Sequence, residues 1–392
     1  MLDLLRGRYR GIYQSRDALT YLFNIFTFVG TNPLEQRTPK YYHLYYLYSV
    51  TVNFICCFFC PLSFHIGYIK FLKVLNTTEL LAAIQNAVQV TAIPIKIVAI
   101  TWHMKSLLSA RAVLDKLDAN YKRAEDLLRI RKCVQSCCKI IVVFCVPYYS
   151  FEVTTIAFGV LQNRVPLAAW VPYLDADRAA WEYWTIVGWD TFVMFILLAH
   201  QLGSDTYPAV YISIIRTHMQ LLVERAKRLG NDRALNAEEN YAELLACKRT
   251  HGQIKSLAKI VAPVISITLF TQFATTAITV LNWFGDVEFP ENIISFAFFS
   301  CQLMQILPCC YCASHLIADC DLLPNAIFHS NWIEQDRRFR KTVLFFIQRA
   351  QNPMRFSCLK LFSVSLATGV AIGKFAFSLY TFIQEVGDKS EN

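Results

Sequence analysis

Seven long apolar runs constrain the fold of this chain more than any other feature of its sequence. Each run approaches or exceeds the ~20 residues that an α-helix needs to cross a bilayer. Inside the hydrocarbon core every backbone hydrogen bond must be made within the protein, so helices are expected. The sequence therefore predicts an all-α membrane protein with seven transmembrane helices in a single domain, residues 1–392. The predicted spans are residues 42–68, 79–102, 138–161, 183–212, 259–284, 291–318 and 355–386.

The composition is typical of a membrane protein, and the distribution of charge and the motifs argue against a nucleic-acid-binding protein and an enzyme. Of the 392 residues, 55% are hydrophobic and 17% are charged, whereas soluble domains hold about 45–50% apolar and about 25% charged residues. The formal charge of +9 comes from basic residues that concentrate in alternate loops, a pattern of membrane topology, so no nucleic acid partner is expected. The sequence contains no GxGxxG, Walker or His-Glu-x-x-His motif, so no catalytic site, cofactor or metal is expected.

The distribution of lysine and arginine predicts the orientation of the chain in the membrane. The N-terminal segment and the second, fourth and sixth loops hold six, nine, nine and six of these residues, whereas the alternate segments hold two, two, none and one. By the positive-inside rule the N-terminus is cytosolic and, after seven crossings, the C-terminus is extracellular. The sequon Asn76-Thr77-Thr78 then lies outside, where a glycosylation site at Asn76 is predicted. A G-protein-coupled receptor has the opposite orientation, so no G protein is expected as a partner.

The long basic segments carry apolar residues at helical spacing. Leu107 and Leu114, for example, recur among lysine, arginine and aspartate in a pattern that predicts a helix. We interpret these segments as helical extensions that form a cytosolic anchor domain, and the alternative is that they lie along the lipid headgroups. In the last extension Trp332 and Phe346 are predicted to contact neighbouring subunits. The extensions are residues 103–137, 213–258 and 319–354.

Short motifs with specific spacing mark the C-terminal part of the chain. They are Ser330-Asn331-Trp332, Arg340-Lys341, residues 344–353 (Leu-Phe-Phe-Ile-Gln-Arg-Ala-Gln-Asn-Pro), residues 361–366 and residues 378–383. In these motifs the chain resembles the insect odorant receptor family. Length, seven spans, inverted topology and long cytosolic loops match over the remainder. The family's usual Ala-Gly-Lys is Cys358-Leu359-Lys360 here, a minor departure.

The resemblance implies a tuning subunit that assembles with an obligate co-receptor into a heterotetrameric, odorant-gated, non-selective cation channel. The chain lacks the large intracellular insertion of the co-receptor, which is why we interpret it as a tuning subunit. The implied partners are the co-receptor, volatile odorants and membrane lipid. The implied location is the plasma membrane of the dendrites of olfactory sensory neurons. In that family the last helix of each subunit lines the pore, and odorant binds within the outer half of each bundle.

The resemblance also directs attention to two groups of candidate site residues. It places the narrow outer gate near Phe382 and Val386, with Glu385 adding negative charge at the outer mouth that favours cations. The alternative is an apolar stripe facing lipid or protein, followed by a solvated tail. For the odorant pocket we select residues in the outer halves of the second, third and fourth spans, and ordinary core packing is the alternative for each. These candidates are Gln89, Tyr149, Thr154, Phe158, Trp184, Gly188 and Thr191.

The ionisable residues within predicted spans include Lys96, Glu152, Asp190 and Lys374. Such residues are costly in a membrane unless they are paired or face water. For Glu152 and Asp190, contact with a ligand and a structural hydrogen bond are both open. The sequence assigns no partner to Lys96 or Lys374.

Two other classes of function stay open at this point. The first is a gustatory receptor that forms a channel by itself within the same inverted architecture. The motifs around Trp332 and Pro353 favour the odorant branch. The second is a secondary transporter, which is expected to show inverted repeats and broken helices near the middle of the membrane. The sequence shows no paired halves of that kind.

Overall fold

Helices form almost all of the structure, a computed structural model that describes residues 13–32, 39–71, 77–167, 169–231, 235–283, 291–375 and 378. The helices are α1 (Thr20–Phe28), α2 (Pro39–Phe54), α3 (Cys60–Phe71), α4 (Thr77–Asp118), α5 (Ala124–Leu161), α6 (Ala180–Lys227), α7 (Ala237–Trp283), α8 (Glu291–Phe328), α9 (Arg337–Ala350) and α10 (Leu366–Phe375). A 3-10 turn, Ser15–Leu19, precedes α1, and a π-helical turn, Ile55–Phe59, joins α2 to α3. Two short strands, β1 (Ser357–Cys358) and β2 (Phe362–Ser363), form an antiparallel hairpin before α10.

Six helical segments in the described ranges are long and apolar enough to cross a bilayer. They coincide with the first six predicted spans, and five of them continue well beyond the predicted limits. Helix α6 alone has 48 residues, about 72 Å of helix against a hydrocarbon core of ~30 Å. The basic extensions are therefore largely helical, as predicted. We call the end of the bundle formed by residues 103–137, 213–258 and 319–354 the basic end.

The seventh span, predicted over residues 355–386, begins later than the sequence predicts. The β1–β2 hairpin occupies its first residues, and α10 starts only at Leu366. At the tip of the hairpin Leu359 and Lys360 have positive φ angles of 46° and 61°. The hairpin is held to α7 because the Leu359 N–H donates to Ser266 Oγ at 2.7 Å. Since the hairpin residues are mostly apolar, hydropathy alone did not separate them from the helix that follows.

The largest hydrophobic core lies at the basic end, where the extensions of α4 to α8 pack together with α1, α9 and the hairpin. Ion pairs join the extensions, among them two made by arginines of α6. Arg216 Nε of α6 lies 2.7 Å from Asp319 of α8. Arg225 of α6 binds both carboxylate oxygens of Glu243 of α7, at 2.5 and 2.8 Å, and this bidentate geometry also fixes their orientation. The extensions thus bury their apolar faces against one another.

The segment before the first span is part of this core, a contact that the apolar runs and charges of the sequence do not predict. Phe23 and Phe26 of α1 are buried. The Ser15 hydroxyl donates to Asp118 Oδ1 at 2.6 Å and lies 3.0 Å from His218 Nε2. The Ser15 N–H donates to the other oxygen of Asp118 at 2.7 Å. These contacts tie the segment to α4 and α6.

Phe346, predicted to contact a neighbouring subunit, lies instead in the chain's own core. Its side chain is 0% exposed and packs against His251 of α7, with ring centroids 5.8 Å apart. No surface of this side chain is left for another chain. On the other face of α9, Leu344 and Phe345 are 58% and 57% exposed. Trp332 is only partly buried against the same core, and its indole N–H donates to a backbone carbonyl one turn earlier at 2.9 Å.

Candidate ligand-binding site

A cavity lies inside the bundle, between α3, α4, α5, α6 and α8. Apolar side chains such as Phe64, Ile93 and Phe151 form much of its wall. Its volume of about 60 Å³ is smaller than the ~150 Å³ of a cavity that takes up benzene. An organic ligand of that size or larger therefore enters only if wall side chains move, and Met194 is the most adaptable of them. The polar residues of the wall are Asn86, Gln89, Tyr148, Gln201, Gln302 and Gln305.

Beside the cavity Lys96 and Asp205 form a buried ion pair, with Nζ and Oδ1 2.8 Å apart and side chains 1% and 2% exposed. Lys96 Nζ also donates to Gln272 Oε1 at 2.5 Å. The Tyr148 hydroxyl donates to the second carboxylate oxygen of Asp205 at 2.7 Å. Both charges are thus paired and hydrogen-bonded, as a low-dielectric interior requires. Asp205 is therefore the partner of Lys96 that the sequence did not assign.

A chain of glutamines extends this ion pair into a network. Gln272 Nε2 donates to the side-chain oxygens of Gln302, at 2.8 Å, and of Gln305. Gln302 Nε2 in turn donates to Gln89 Oε1 at 3.2 Å. The network connects α4, α5, α6, α7 and α8, and its members Gln89, Tyr148, Gln302 and Gln305 also line the cavity. A molecule in the cavity therefore touches side chains that join five helices.

Gln201 differs from these four polar residues of the wall. Its side chain is buried, and neither Nε2 nor Oε1 has a hydrogen-bond partner in the part of the chain that the structure describes. It lies on α6 one turn before Asp205, so the two residues share a face of the helix. The sequence signal that could have found it was the break that His200 and Gln201 make in an apolar run.

Of the seven residues predicted to contact ligand, the cavity includes only Gln89. Tyr149 is adjacent in sequence to Tyr148, which lines the cavity, but one residue along a helix turns the side chain by about 100°. Tyr149 packs instead against Phe195, with ring centroids 5.1 Å apart. The other five predicted residues lie on α5 and α6 outside the cavity wall: Thr154, Phe158, Trp184, Gly188 and Thr191.

A second, smaller cavity adjoins the first and shares two wall residues with it. Asp190 lines this smaller cavity, and its Oδ2 has no partner among the described residues. The segment between α5 and α6 covers it, because the Trp170 N–H donates to the Ser63 carbonyl at 3.0 Å and the Ser63 hydroxyl donates to the Trp170 carbonyl. Glu152 is also buried but lines neither cavity.

Four predicted functional residues lie outside the described ranges: Asn76, Phe382, Glu385 and Val386. The predicted glycosylation site and outer gate therefore stay predictions. Within the described ranges no three histidine, cysteine, aspartate or glutamate side chains are grouped so that they could hold a metal ion.

Long apolar helices around an internal cavity with a few polar wall residues define a multi-pass membrane protein with a candidate ligand pocket. A sequence profile described as 7tm Odorant receptor matches residues 76–377, and the chain belongs to this family. The predicted family and the predicted seven-transmembrane fold are both confirmed, and the family is not one of enzymes. The match places the chain in the odorant rather than the gustatory branch.

Individual relatives extend this likeness over nearly the whole chain. Odorant receptor 42b of Drosophila melanogaster is 31% identical over 95% of this chain and 94% of its own length. Odorant receptor 42a of the same species is 27% identical over 95% of this chain and 92% of its own. Among solved structures, the insect olfactory receptor OR5 from Machilis hrabei matches with a TM-score of 0.79 and 17% identity, covering 98% of this chain and 100% of that one. At this identity the likeness concerns the fold. The same receptor has been solved in complex with eugenol, again with a TM-score of 0.79.

Proposed function

We propose that this chain is a tuning subunit that binds volatile odorants inside its helical bundle and gates a non-selective cation channel formed with an obligate co-receptor. The observation that carries the binding part is the cavity between α3, α4, α5, α6 and α8, with its apolar wall and few polar groups. Such a wall suits small, neutral, largely apolar molecules. The solved complex of a receptor with the same fold contains eugenol, a molecule of this kind.

Odorant binding in this proposal changes the shape of the bundle. The cavity of about 60 Å³ does not admit most odorants, since even benzene occupies a larger one (~150 Å³). Wall side chains must therefore move when an odorant enters. Because Tyr148, Gln302 and Gln305 belong to both the wall and the polar network, that movement reaches the contacts that join α5 to α6 and α7 to α8.

Assembly in this proposal uses the exposed apolar residues at the basic end. Leu344 and Phe345 of α9 have no hydrophobic environment there if this end is cytosolic, and such patches typically mark protein contacts. Trp332, partly buried, contributes beside them. Helix α10 begins the pore-lining segment, and its Val370 and Phe375 are exposed in the single chain. The gate at Phe382, Glu385 and Val386 continues this segment by analogy with the family.

The proposal includes a cytosolic N-terminus, an extracellular C-terminus, a glycan at Asn76 and a location in dendrites of olfactory sensory neurons. A tag appended at the C-terminus is expected to be stained on intact cells, because the last segment follows an odd number of crossings. A tag at the N-terminus is expected to be stained only after permeabilisation. The measurement is immunofluorescence of both tagged forms, with a cytosolic marker as the permeabilisation control. The reverse pattern would contradict the proposed orientation.

Co-expression with an odorant co-receptor tests the channel itself. Cells that contain both chains are expected to give odorant-evoked cation currents, whereas cells with either chain alone are expected to give none to the same odorants. Patch-clamp recording with a panel of neutral volatile odorants measures this. Surface labelling of the tagged chain controls for delivery to the membrane. Odorant-evoked currents of equal size without the co-receptor would overturn the heteromeric assembly, and an absence of currents despite surface delivery would overturn the receptor-channel function.

A further inference from the structure

The chemistry of the cavity wall singles out one side chain for ligand recognition. Gln201 lines the cavity and is buried, yet its amide donor and acceptor both lack a partner among the described residues. Leaving a buried amide unbonded is costly, so such a group calls for a partner that comes from outside the chain. Gln89 and the other network members on the wall each already have a hydrogen-bond partner within the network.

Asn86 is the remaining polar residue of the wall, and it is only partly buried. Its amide can therefore be satisfied by water at a lower cost than that of Gln201. The described residues of the cavity wall include no charged side chain, and Lys96 and Asp205 beside it are paired with each other at 2.8 Å. A charged ligand would find no free counter-charge in this pair, so the wall favours a neutral ligand. That ligand needs polar groups that can form hydrogen bonds with an amide.

We propose that Gln201 selects the functional group of the odorant and that the cavity is tuned to neutral molecules with a hydroxyl group, that is, small alcohols or phenols. A hydroxyl donates one hydrogen bond and accepts others, so it can donate to Gln201 Oε1 and accept from Nε2. A ketone or an ether only accepts, and an alkane does neither. This inference rests on the proposed function, because it assumes that odorants bind in this cavity.

The test compares probes of equal non-hydrogen atom number on the complex of this chain with the co-receptor: hexanol, butyl methyl ketone, pentyl methyl ether and heptane. In the wild-type complex we expect hexanol to activate at a concentration roughly tenfold below that of the ether and heptane. In Gln201→Met, which keeps the length of the side chain but removes donor and acceptor, we expect this preference to fall to within about twofold. The preference should fall because hexanol activates the variant more weakly, while activation by heptane is unchanged.

Leu198→Met is the matched control, since Leu198 lines the same cavity with an apolar side chain. We expect this substitution to change the activating concentrations of all four probes by the same factor and to keep the preference for hexanol. An unchanged preference in Gln201→Met, or an equal shift of all probes, would overturn the role of Gln201.

If Gln201→Met reaches the surface but gives no current, the melting temperature of the purified complex with each probe tests whether Gln201 recognises the hydroxyl group. Hexanol should raise the melting temperature of the wild type more than heptane does, and this difference should vanish in the variant. A difference that persists contradicts the inference. If the wild-type complex reaches the surface and responds to no odorant at all, the proposed function itself fails, and this outcome is distinct from a response without hydroxyl preference.

Discussion

Replacing Lys96 with methionine is expected to destabilise the folded chain by about 3–5 kcal/mol, because it leaves Asp205 as a buried carboxylate without its counter-charge. The two side chains are 1% and 2% exposed and lie 2.8 Å apart. Gln272 also loses the ammonium group that it accepts from. The yield and the melting temperature of the purified complex in detergent measure the effect.

A double variant, Lys96→Met with Asp205→Asn, is the control for this prediction. It removes both charges and keeps an amide oxygen that can accept the hydrogen bond of Tyr148. We expect it to recover most of the lost stability, since removing both partners of a buried pair costs less than removing one. If Lys96→Met is as stable as the wild type, Lys96 and Asp205 are not a desolvated pair in the assembled protein.

The adjacent phenylalanines of α9 are expected to give opposite results when each is replaced with alanine. Phe346→Ala should destabilise the chain by about 3–5 kcal/mol, because a fully buried aromatic side chain is lost from the core beside His251. Phe345→Ala should leave the fold intact, because that side chain is 57% exposed in the single chain. It should instead weaken binding to the co-receptor, if this face of α9 is the subunit contact.

Two measurements separate these effects. Expression and protease resistance of the chain report on its own fold, and co-purification with the co-receptor reports on assembly. Phe345→Ala that co-purifies like the wild type would show that this face of α9 is not at a subunit contact. Phe346→Ala with normal expression and protease resistance would contradict the burial of that side chain.

Apolar length and charge distribution were sufficient to predict the fold class, because both are properties of whole segments. The start of the last helix was not predictable in this way, since the β1–β2 hairpin is composed of residues as apolar as those of α10. Prediction of side-chain environment failed at single-residue resolution. Tyr148 and Tyr149, like Phe345 and Phe346, are neighbours in sequence but point about 100° apart on a helix. The partner of Lys96 lies 109 positions away, on α6, and such a pairing follows only from how the helices pack.

Helix α6 is continuous from the cavity to the basic end, although Pro208 between them has no backbone N–H to donate. It carries Gln201 and Asp205 at the cavity and network, and Arg216 and Arg225 in the ion pairs of the basic end. A rod of about 72 Å that pivots at its middle by about 3° moves each of its ends by about 2 Å. Displacements of about 1–2 Å are those by which helices at subunit interfaces switch between discrete packings. Because the backbone of α6 is continuous, a small tilt that begins at the cavity also moves the end of the helix at the basic end. Such a tilt breaks no helical hydrogen bond, yet it is large enough to change the contacts there.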